Sequence, residues 1–372
     1  MIQMVDLKKQ YLHIQDEIDN AVLNCIRSTA FINGPIVSEF AQNLAKYLDV
    51  KHVIPCANGT DALQIAMMAI DLQPGDEVIL PAHTYFATAE VIGLLKLTPV
   101  MVDVDPDTFL INLEEVKAAI TPKTKAIVPV HLYGQSVDME PLMAIAKEHN
   151  IIVIEDNAQA IGANYTFNDG TIKKTGTIGH IGCTSFFPSK NLGCYGDGGA
   201  MFTNDDELAA KLKMIANHGQ SRRYYHDKIG INSRLDSIQA AILNVKLKYL
   251  DTYNSARAYA ARYYNEAFSD IMELQTPVKQ HNSTHVYHQY TLRVLNGNRN
   301  DLQDHLQALN IPTMIYYPVP LYNQGAFKGM IQEGFSLPVT DLLSDQVISL
   351  PIHTEMDEVL LNQIIDGVKS YF

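Results

Sequence analysis

Cysteine is scarce in this chain, and no stretch of the sequence is apolar enough to cross a membrane. The four cysteines, Cys25, Cys56, Cys183 and Cys194, lie far apart or without the spacing of metal ligands. No apolar run approaches the roughly 18 residues that a membrane-spanning helix needs, and the N-terminal sequence MIQMVDLKKQY lacks the features of a signal peptide. These absences predict a reduced, cytoplasmic protein without a metal site or a membrane anchor.

Positively charged residues are also fewer than negatively charged ones. Lysine and arginine together number 28 against 41 aspartates and glutamates, which gives a formal net charge of −13 and a pI near 5.4. Nucleic acids and anionic membranes bind to positive surfaces, so this balance argues against both as partners. A local cationic pocket for a phosphate group is still compatible with it.

Between residues 74 and 160, apolar strands alternate with helices. The strand segments are 74–82, 99–105, 125–134 and 151–160, and the intervening helices are expected near 88–97, 113–120 and 139–148. Such alternation is typical of an α/β protein with a mostly parallel central sheet covered by helices. Ligands of open parallel sheets bind where the strands end at their carboxyl side, so the chemistry is expected at that edge.

The length of 372 residues exceeds what one hydrophobic core usually holds and predicts about two domains. Residues 6–27 carry apolar side chains at helical spacing and predict an N-terminal helix. Beyond residue 245 the alternation changes to one long helix at 243–268 and to strands within 285–295, 311–318 and 347–353. We therefore expect a large domain at 1–248 and a smaller C-terminal α/β domain at 249–372.

Lys190 lies in the segment CTSFFPSKNLGCYGDGGA, at 183–200, and is the candidate nucleophile. Phe186 and Phe187 are expected to exclude water from its amine, because burial favours the neutral form that attacks a carbonyl. Ser185 adds a hydroxyl, and the glycines that follow give the backbone freedom. The alternative interpretation is an ordinary surface lysine in a glycine-rich turn.

The sequence ANGTDAL, at 57–63, follows a short apolar strand and begins a helix. The backbone amides of Gly59 and Thr60 are expected to point out of the N-terminus of that helix, where an anion such as a phosphate is favoured. The alternative is ordinary capping of the helix by Asn58 or Thr60.

Asp156 follows four aliphatic residues, 151–154, and is expected to be a buried carboxylate at the end of a strand. A buried carboxylate needs a cationic partner, and a protonated pyridine nitrogen would be one. Gln159 could then hydrogen-bond another polar position of the same ring, and Tyr85 offers a flat face for it to stack on. The alternative for Asp156 is a cap on the following helix.

Six motifs that follow one another in this order resemble the DegT/StrS family of sugar-nucleotide aminotransferases. They are ANGTDAL at 57–63, PAHTY at 81–85, EDNAQA at 155–160, SFFPSK at 185–190, GDGG at 196–199 and NSRLDSIQAA at 232–241. The resemblance extends from DLKKQY at 6–11 to LPIH at 350–353. It implies a fold-type-I enzyme that depends on pyridoxal 5′-phosphate (PLP), with pyridoxamine phosphate as the alternate form of the cofactor.

The resemblance also assigns the residues around the cofactor ring. It implies that Lys190 forms the covalent imine with PLP and that Asp156 pairs with the pyridine nitrogen. Gln159 would face the phenolic oxygen, and Tyr85 would stack on the ring. Family members that have histidine at the Lys190 position are dehydratases, so the lysine favours transamination.

For the cofactor phosphate, the resemblance implies binding by Gly59, Thr60 and Ser185. Asn232 would reach that phosphate from the neighbouring subunit. The chain is therefore expected to form a homodimer with shared active sites.

Within the family, the strings SFFPSK-x-LGCYGDGGA and HGQ-x-RRY resemble enzymes that aminate UDP-2-acetamido-2-deoxy-3-oxo-glucuronate at carbon 3 for surface polysaccharide and O-antigen synthesis, with glutamate as donor. The residues expected to contact the sugar nucleotide are Phe31, Ser189, Arg234, Tyr316 and Tyr317. Arg234 is the candidate partner of the uronate carboxylate. Phe31 and Tyr316 stand where tyrosine and histidine are common in the family. Because Tyr316 also suits the methyl group of a 6-deoxy sugar, a dTDP-3-keto-6-deoxyhexose remains the alternative substrate.

Two other classes of protein fit the sequence less well than an aminotransferase. An NAD enzyme of the Rossmann type needs a glycine fingerprint, which the CANGTDAL turn does not supply. A non-catalytic PLP-binding regulatory protein would not need both Lys190 and Asp156. It would also not need a basic substrate segment, which here contains Arg222, Arg223 and Arg234. The segment 219–230, which contains Arg222 and Arg223, is expected to be a mobile loop over a phosphorylated substrate or, alternatively, a solvated surface loop.

Overall fold

The structure is a computed structural model that describes residues 2–295 and 298–372. In chain order, the α-helices of this part of the chain are α1 (Leu7–His13), α2 (Gln15–Ser28), α3 (Pro35–Leu48), α4 (Gly59–Ala69), α5 (Phe86–Leu94), α6 (Leu113–Ala119), α7 (Met139–His149), α8 (Asp206–Ile215), α9 (Ser237–Leu247), α10 (Leu250–Ala267), α11 (Arg299–Ala308), α12 (Pro338–Gln346) and α13 (Glu358–Lys369).

The β-strands, again within the described residues, are β1 (His52–Cys56), β2 (Glu77–Pro81), β3 (Thr98–Val102), β4 (Thr124–Ile127), β5 (Ile152–Asp156), β6 (Asn164–Thr166), β7 (Ile172–Lys174), β8 (Ile181–Ser185), β9 (Gly199–Thr203), β10 (Gln220–Arg222), β11 (Tyr225–His226), β12 (Leu274–Gln275), β13 (Tyr290–Val294) and β14 (Val347–Leu350). Short 3-10 turns lie at Leu132–Gly134, Leu321–Asn323 and Gly325–Phe327.

The central sheet has the strand order β1-β9-β8-β5-β4-β2-β3. Strands β8, β5, β4, β2 and β3 are parallel, and β9 is antiparallel to both β8 and β1. The two antiparallel steps restore the strand direction, so β1 also ends at the same edge as the parallel strands. The predicted mostly parallel α/β fold is confirmed.

Helices cover both faces of this sheet. Successive residues of a strand point to opposite faces, and here the residues on both faces are apolar. Val78 and Leu80 pack into a core that contains residues of α4, α5 and α8. Ile79, between them, packs into a second core with residues of α6 and α7. Burial on both faces fixes the strand ends rigidly, and it therefore fixes the side chains that follow them.

The C-terminal part of the chain contains a separate antiparallel sheet of the order β12-β13-β14. Its strands share one hydrophobic core with α10, α11 and α13, in which Tyr264, Leu292 and Leu350 are fully buried. The predicted strand within 311–318 does not form. Met314 makes only an isolated bridge to Ser349, and Pro312 and Pro318 lack the N–H groups that a sheet ladder needs.

Two of the predicted helices are interrupted. The long helix expected at 243–268 is α9 followed by α10, with Lys248 and Tyr249 between them. The N-terminal helix expected at 6–27 is α1 followed by α2, and Ile14 between them has φ −125°. Spacing of apolar residues cannot detect such a change of direction, because both halves keep the same helical period.

Candidate active site

A cavity of about 670 Å³ opens at the edge where the parallel strands end. Segments that are far apart in the sequence build its wall: the start of α4, the residues after β2, β5 and β8, and two stretches near 288 and 316. The predicted site residues that line it are Gly59, Thr60, Tyr85, Asp156, Gln159, Ser185, Ser189, Lys190, Tyr316 and Tyr317. The structure therefore brings ten of the predicted residues to one place.

Lys190 is half-buried in the loop after β8. Burial lowers the pKa of its ammonium group to about 8, and the negative charge of Asp156 partly opposes that shift. Phe186 is fully buried against Phe40, with ring centroids 5.4 Å apart, whereas Phe187 is 52% exposed in the single chain. Phe186 is therefore part of the hydrophobic core, whereas Phe187 lines the cavity that contains Lys190 and is open to solvent in the isolated chain.

Asp156, the last residue of β5, is buried. Its Oδ2 accepts a hydrogen bond from the Thr88 hydroxyl at 2.8 Å, and its Oδ1 accepts one from the Ala158 N–H at 3.1 Å. Burial raises the pKa of this carboxyl, and the two hydrogen bonds oppose the rise. Residues 158–162 form a turn and no helix begins within 157–163, all of them described, so Asp156 does not cap a following helix.

Gln159 is held at both ends of its side-chain amide. Its Oε1 accepts a hydrogen bond from the Tyr133 N–H at 2.7 Å, and its Nε2 donates to the Tyr317 hydroxyl at 3.2 Å. Tyr85 is 60% exposed, and its ring centroid lies 6.0 Å from that of Tyr317. One side of the cavity is therefore fixed by hydrogen bonds, and the other presents an accessible aromatic face.

The first turn of α4 forms an anion cradle. Asn58 caps the helix, because its Oδ1 accepts a hydrogen bond from the Asp61 N–H at 2.8 Å. Among the described residues, the N–H groups of Gly59 and Thr60 have no acceptor in the chain. A Cβ at Gly59 would lie 2.7 Å from the Cβ of Ser185, so glycine is needed for this close approach. Capping by Asn58 and open amides at Gly59 and Thr60 occur together.

Three predicted residues do not line this cavity in their own chain. Asn232 and Phe31 are exposed, and the Phe31 carbonyl accepts a hydrogen bond from the Ser237 N–H at 3.0 Å. Arg234 lines a second cavity, of about 800 Å³. The segment expected to be a loop at 219–230 is a β-hairpin of β10 and β11 at this second cavity.

The second cavity is strongly cationic. Arg222, Arg223, Arg234 and Lys213 line it, and none of its described lining residues is acidic. The Arg222 guanidinium lies over the Tyr225 ring, 3.8 Å from its centroid. A local positive site therefore exists on a chain whose net charge is negative, and it suits an anionic ligand.

No sequence pattern indicated two further residues in the wall of the first cavity, His288 and Gln289. His288 is buried, and its Nδ1 has no partner among the described residues. Burial lowers its pKa, so its ring is neutral. Because both residues lie far from Lys190 in the chain, only the tertiary structure could place them there.

Two negative findings apply to residues 2–295 and 298–372. No group of three or more histidine, cysteine, aspartate or glutamate side chains is arranged to hold a metal ion. No helix combines the length and the apolar character that are needed to cross a membrane.

A family model described as the DegT/DnrJ/EryC1/StrS aminotransferase family matches residues 12–369. The chain belongs to this aminotransferase family. The aminotransferase is 47% identical over 357 residues to the UDP-2-acetamido-2-deoxy-3-oxo-D-glucuronate aminotransferase of Pseudomonas aeruginosa, with 96% of each chain covered. It is also 44% identical to the pleiotropic regulatory protein of Geobacillus stearothermophilus, with 100% of this chain and 98% of the relative covered.

Solved structures agree with the family. The aminotransferase superposes on S. venezuelae DesV in complex with a ketimine intermediate with a TM-score of 0.95, at 37% identity, covering 100% of this chain and 98% of DesV. It superposes on NtdA of Bacillus subtilis with bound cofactor PMP with a TM-score of 0.88, at 31% identity, covering 95% and 81% of the two chains. The predicted family and enzyme class are confirmed.

The residues of the first cavity fit PLP. Open amides and a hydroxyl suit its phosphate, the Asp156 carboxylate suits a protonated ring nitrogen, and the Lys190 amine suits its aldehyde. When bound, the cofactor carries the amino group and absorbs the electrons of the substrate carbon. The predicted cofactor is thus confirmed by the family and matched by the geometry.

Proposed function

We propose that this aminotransferase moves the amino group of glutamate to carbon 3 of UDP-2-acetamido-2-deoxy-3-oxo-glucuronate, in the synthesis of a surface polysaccharide such as the O-antigen of lipopolysaccharide. The observation that carries this proposal is the 47% identity to the Pseudomonas aeruginosa enzyme of that name over 96% of both chains. The cavity that contains Lys190, with aromatic walls and several polar groups, suits a sugar ring beside the cofactor.

In this proposal each residue around Lys190 acts on a defined atom. Lys190 Nζ would accept the proton that leaves the amino-bearing carbon of the donor and would return a proton to carbon 3 of the sugar, because its pKa of about 8 leaves part of the amine neutral near neutral pH. Asp156 keeps the ring nitrogen protonated, and Gln159 is held where it can hydrogen-bond the ring. Tyr85 covers the accessible face of the ring.

We further propose a homodimer in which each subunit completes the other's site. Asn232 is exposed and Arg234 lines a cavity other than the one that contains Lys190. A residue that serves PLP or the sugar from such a position has to do so across a subunit interface. The cationic second cavity, with Arg222 and Arg223, would then receive the diphosphate of a nucleotide bound to the partner.

Arg234 is the proposed partner of the uronate carboxylate. A carboxylate removed from water needs a donor with positive charge, and arginine can supply two parallel hydrogen bonds. One observation favours the alternative, an aminotransferase for a dTDP-3-keto-6-deoxyhexose: Tyr316 lines the Lys190 cavity and adds an aromatic wall. The uronate remains the first choice because of the similarity over the whole chain.

One relative is named as a regulatory protein. Whether this chain catalyses transamination must therefore be tested directly. Glutamate added to the PLP enzyme should convert the cofactor to pyridoxamine phosphate and release 2-oxoglutarate, with a shift of the absorbance maximum. An unchanged spectrum with every amino donor would favour a binding protein without turnover.

The substrate is tested with the enzyme loaded with pyridoxamine phosphate. Each 3-keto sugar nucleotide is offered separately, and the return of the PLP absorbance is recorded. We expect the uronate to restore it, and Arg234→Ala to lose mainly the uronate reaction. Arg262→Ala removes an exposed arginine elsewhere and serves as the matched control. Restoration by the dTDP-6-deoxy sugar alone would overturn the uronate assignment.

We also propose a domain organisation and a cellular compartment. Residues 249–372 are proposed to form the smaller domain, because α10, α11, α13 and the second sheet share a core of their own. The cytoplasm is the proposed compartment, because all four cysteines are buried and free of disulfides.

A further inference from the structure

Tyr133 occupies an unusual position beneath the Lys190 cavity. It is 2% exposed and lies in the turn after β4, with φ 58° and ψ −5°. A positive φ is unfavourable for a bulky side chain and persists only where the surroundings fix it. The ring is held by edge-on contact with Phe109, with centroids 5.4 Å apart. The residues around Tyr133 therefore hold its backbone and ring in a single conformation.

The hydroxyl of Tyr133 joins two segments that are distant in the sequence. It donates a hydrogen bond to the backbone carbonyl of Tyr316, and it lies 3.1 Å from Nε2 of His83. The hydroxyl has one hydrogen, and a carbonyl can only accept. His83 must therefore carry its hydrogen on Nε2 and donate to the Tyr133 oxygen. His83 is buried and neutral, since burial lowers its pKa to about 4.

The backbone of Tyr133 has a different partner from its side chain. Its N–H donates to Oε1 of Gln159 at 2.7 Å, and Gln159 in turn donates to the Tyr317 hydroxyl at 3.2 Å. The side chain of Tyr133 thus holds the backbone of the Tyr316–Tyr317 segment, whereas its main chain holds a residue assigned to the cofactor. A substitution that removes only the hydroxyl separates these two functions.

We infer that Tyr133 is a positioning residue that sets the two substrate-facing tyrosines, Tyr316 and Tyr317, relative to Gln159. This inference rests on the proposed function in one respect, because it requires the sugar to contact the Tyr316–Tyr317 wall. The residue touches neither cofactor nor sugar itself. It acts by fixing a wall contributed by the C-terminal part of the chain against the strand ends of the central sheet.

Tyr133→Phe tests the inference because the ring and its packing are kept. The substitution leaves the Tyr316 carbonyl without its donor and the His83 Nε2–H without its acceptor. We expect the KM for the keto sugar nucleotide to rise about tenfold while kcat stays within about threefold, since binding of ground state and transition state is lost together. The spectrum of bound PLP and the reaction with glutamate should not change, because Gln159 keeps its bond to the main chain.

Tyr264→Phe is the matched control. Tyr264 is also fully buried, and its hydroxyl also donates to a backbone carbonyl, that of Pro351, at 3.0 Å. It lies in α10, away from the cavity. Its substitution should leave the KM for the sugar unchanged. His83→Asn, which removes the donor to Tyr133 but not the bond to Tyr316, is the second variant and should raise KM in the same direction by a smaller factor.

Hydrogen exchange provides a readout that needs no substrate. In Tyr133→Phe, the Met314 amide, which donates to the Ser349 carbonyl at 3.1 Å, should exchange about tenfold faster, because the segment opens locally once its anchor is lost. Unchanged exchange there would overturn the inference, whatever the sugar specificity. If no keto sugar nucleotide reacts with the wild type, the proposed function fails and the exchange result still decides the role of Tyr133. Faster exchange with an unchanged KM would overturn the link to substrate binding.

Discussion

The Thr88 hydroxyl donates a hydrogen bond of 2.8 Å to Oδ2 of Asp156, at the carboxyl end of β5. Thr88 lies in α5 and is almost fully buried. Burial raises the pKa of the Asp156 carboxyl, and this hydrogen bond is the largest influence that opposes the rise. Thr88 therefore helps to keep the carboxylate charged where a protonated ring nitrogen would need it.

Replacement of Thr88 by valine removes the hydroxyl and keeps the shape of the side chain. A hydrogen bond to a charged group is worth about 1.5–3 kcal/mol, so we expect PLP to dissociate at least about tenfold more readily. Equilibrium dialysis of the holoenzyme measures this. Thr88→Ser restores the hydroxyl and should recover most of the affinity; equal loss in both variants would show that packing, not the hydrogen bond, is responsible.

The pH dependence of cofactor uptake should report the Lys190 amine. Its pKa is lowered from 10.5 to about 8 by burial. The neutral amine reacts with an aldehyde, so uptake of PLP by the cofactor-free enzyme should accelerate as the pH rises through about 8 and level off above it. Stopped-flow absorbance gives the profile.

A variant of Asp156 checks the cause of that profile. The negative charge of Asp156 raises the pKa of Lys190, so Asp156→Asn should shift the midpoint to lower pH. A midpoint near 10 in the wild type would contradict the burial of the amine. A midpoint that does not move in Asp156→Asn would show that the two charges do not interact.

Gly59 should not tolerate a side chain. The methyl group of Gly59→Ala would lie 2.7 Å from the Cβ of Ser185, and relief of such a contact typically costs about 1–3 kcal/mol. Because the displaced groups form the anion cradle, we expect the dissociation constant of PLP to rise about tenfold. Gly325→Ala, with no atom within 4 Å of the new Cβ, is the control, and equal affinity in the two variants would contradict the cradle.

The shared site can be tested by subunit mixing. Asn232→Ala and Lys190→Ala should each be inactive or nearly so alone. If Asn232 serves the partner's site, a mixed dimer contains one site with both substitutions and one with neither, and random mixing should return about a quarter of the wild-type activity. The measurement is the exchange reaction with glutamate after co-refolding. Mixed dimers without any recovery would place both residues in the site of one subunit.

Local patterns in the sequence determined much of this protein. Alternating apolar strands and helices predicted the parallel sheet, because period and burial are properties of each segment alone. The same reasoning placed Asp156 at a strand end and Gly59 at the start of a helix, and parallel strands bring their ends to one edge. The family followed from six short motifs, in which the chemistry of the cofactor fixes the residues.

Only the tertiary structure decided how distant segments meet. It placed His288 and Gln289 in the wall of the cavity that contains Lys190, put Arg234 in a different cavity, and buried Phe186 while leaving Phe187 exposed. No period or spacing encodes such relationships, because they depend on the packing of the C-terminal part of the chain against the central sheet. A contact between residues that are distant in the sequence forms only when both of their segments have folded.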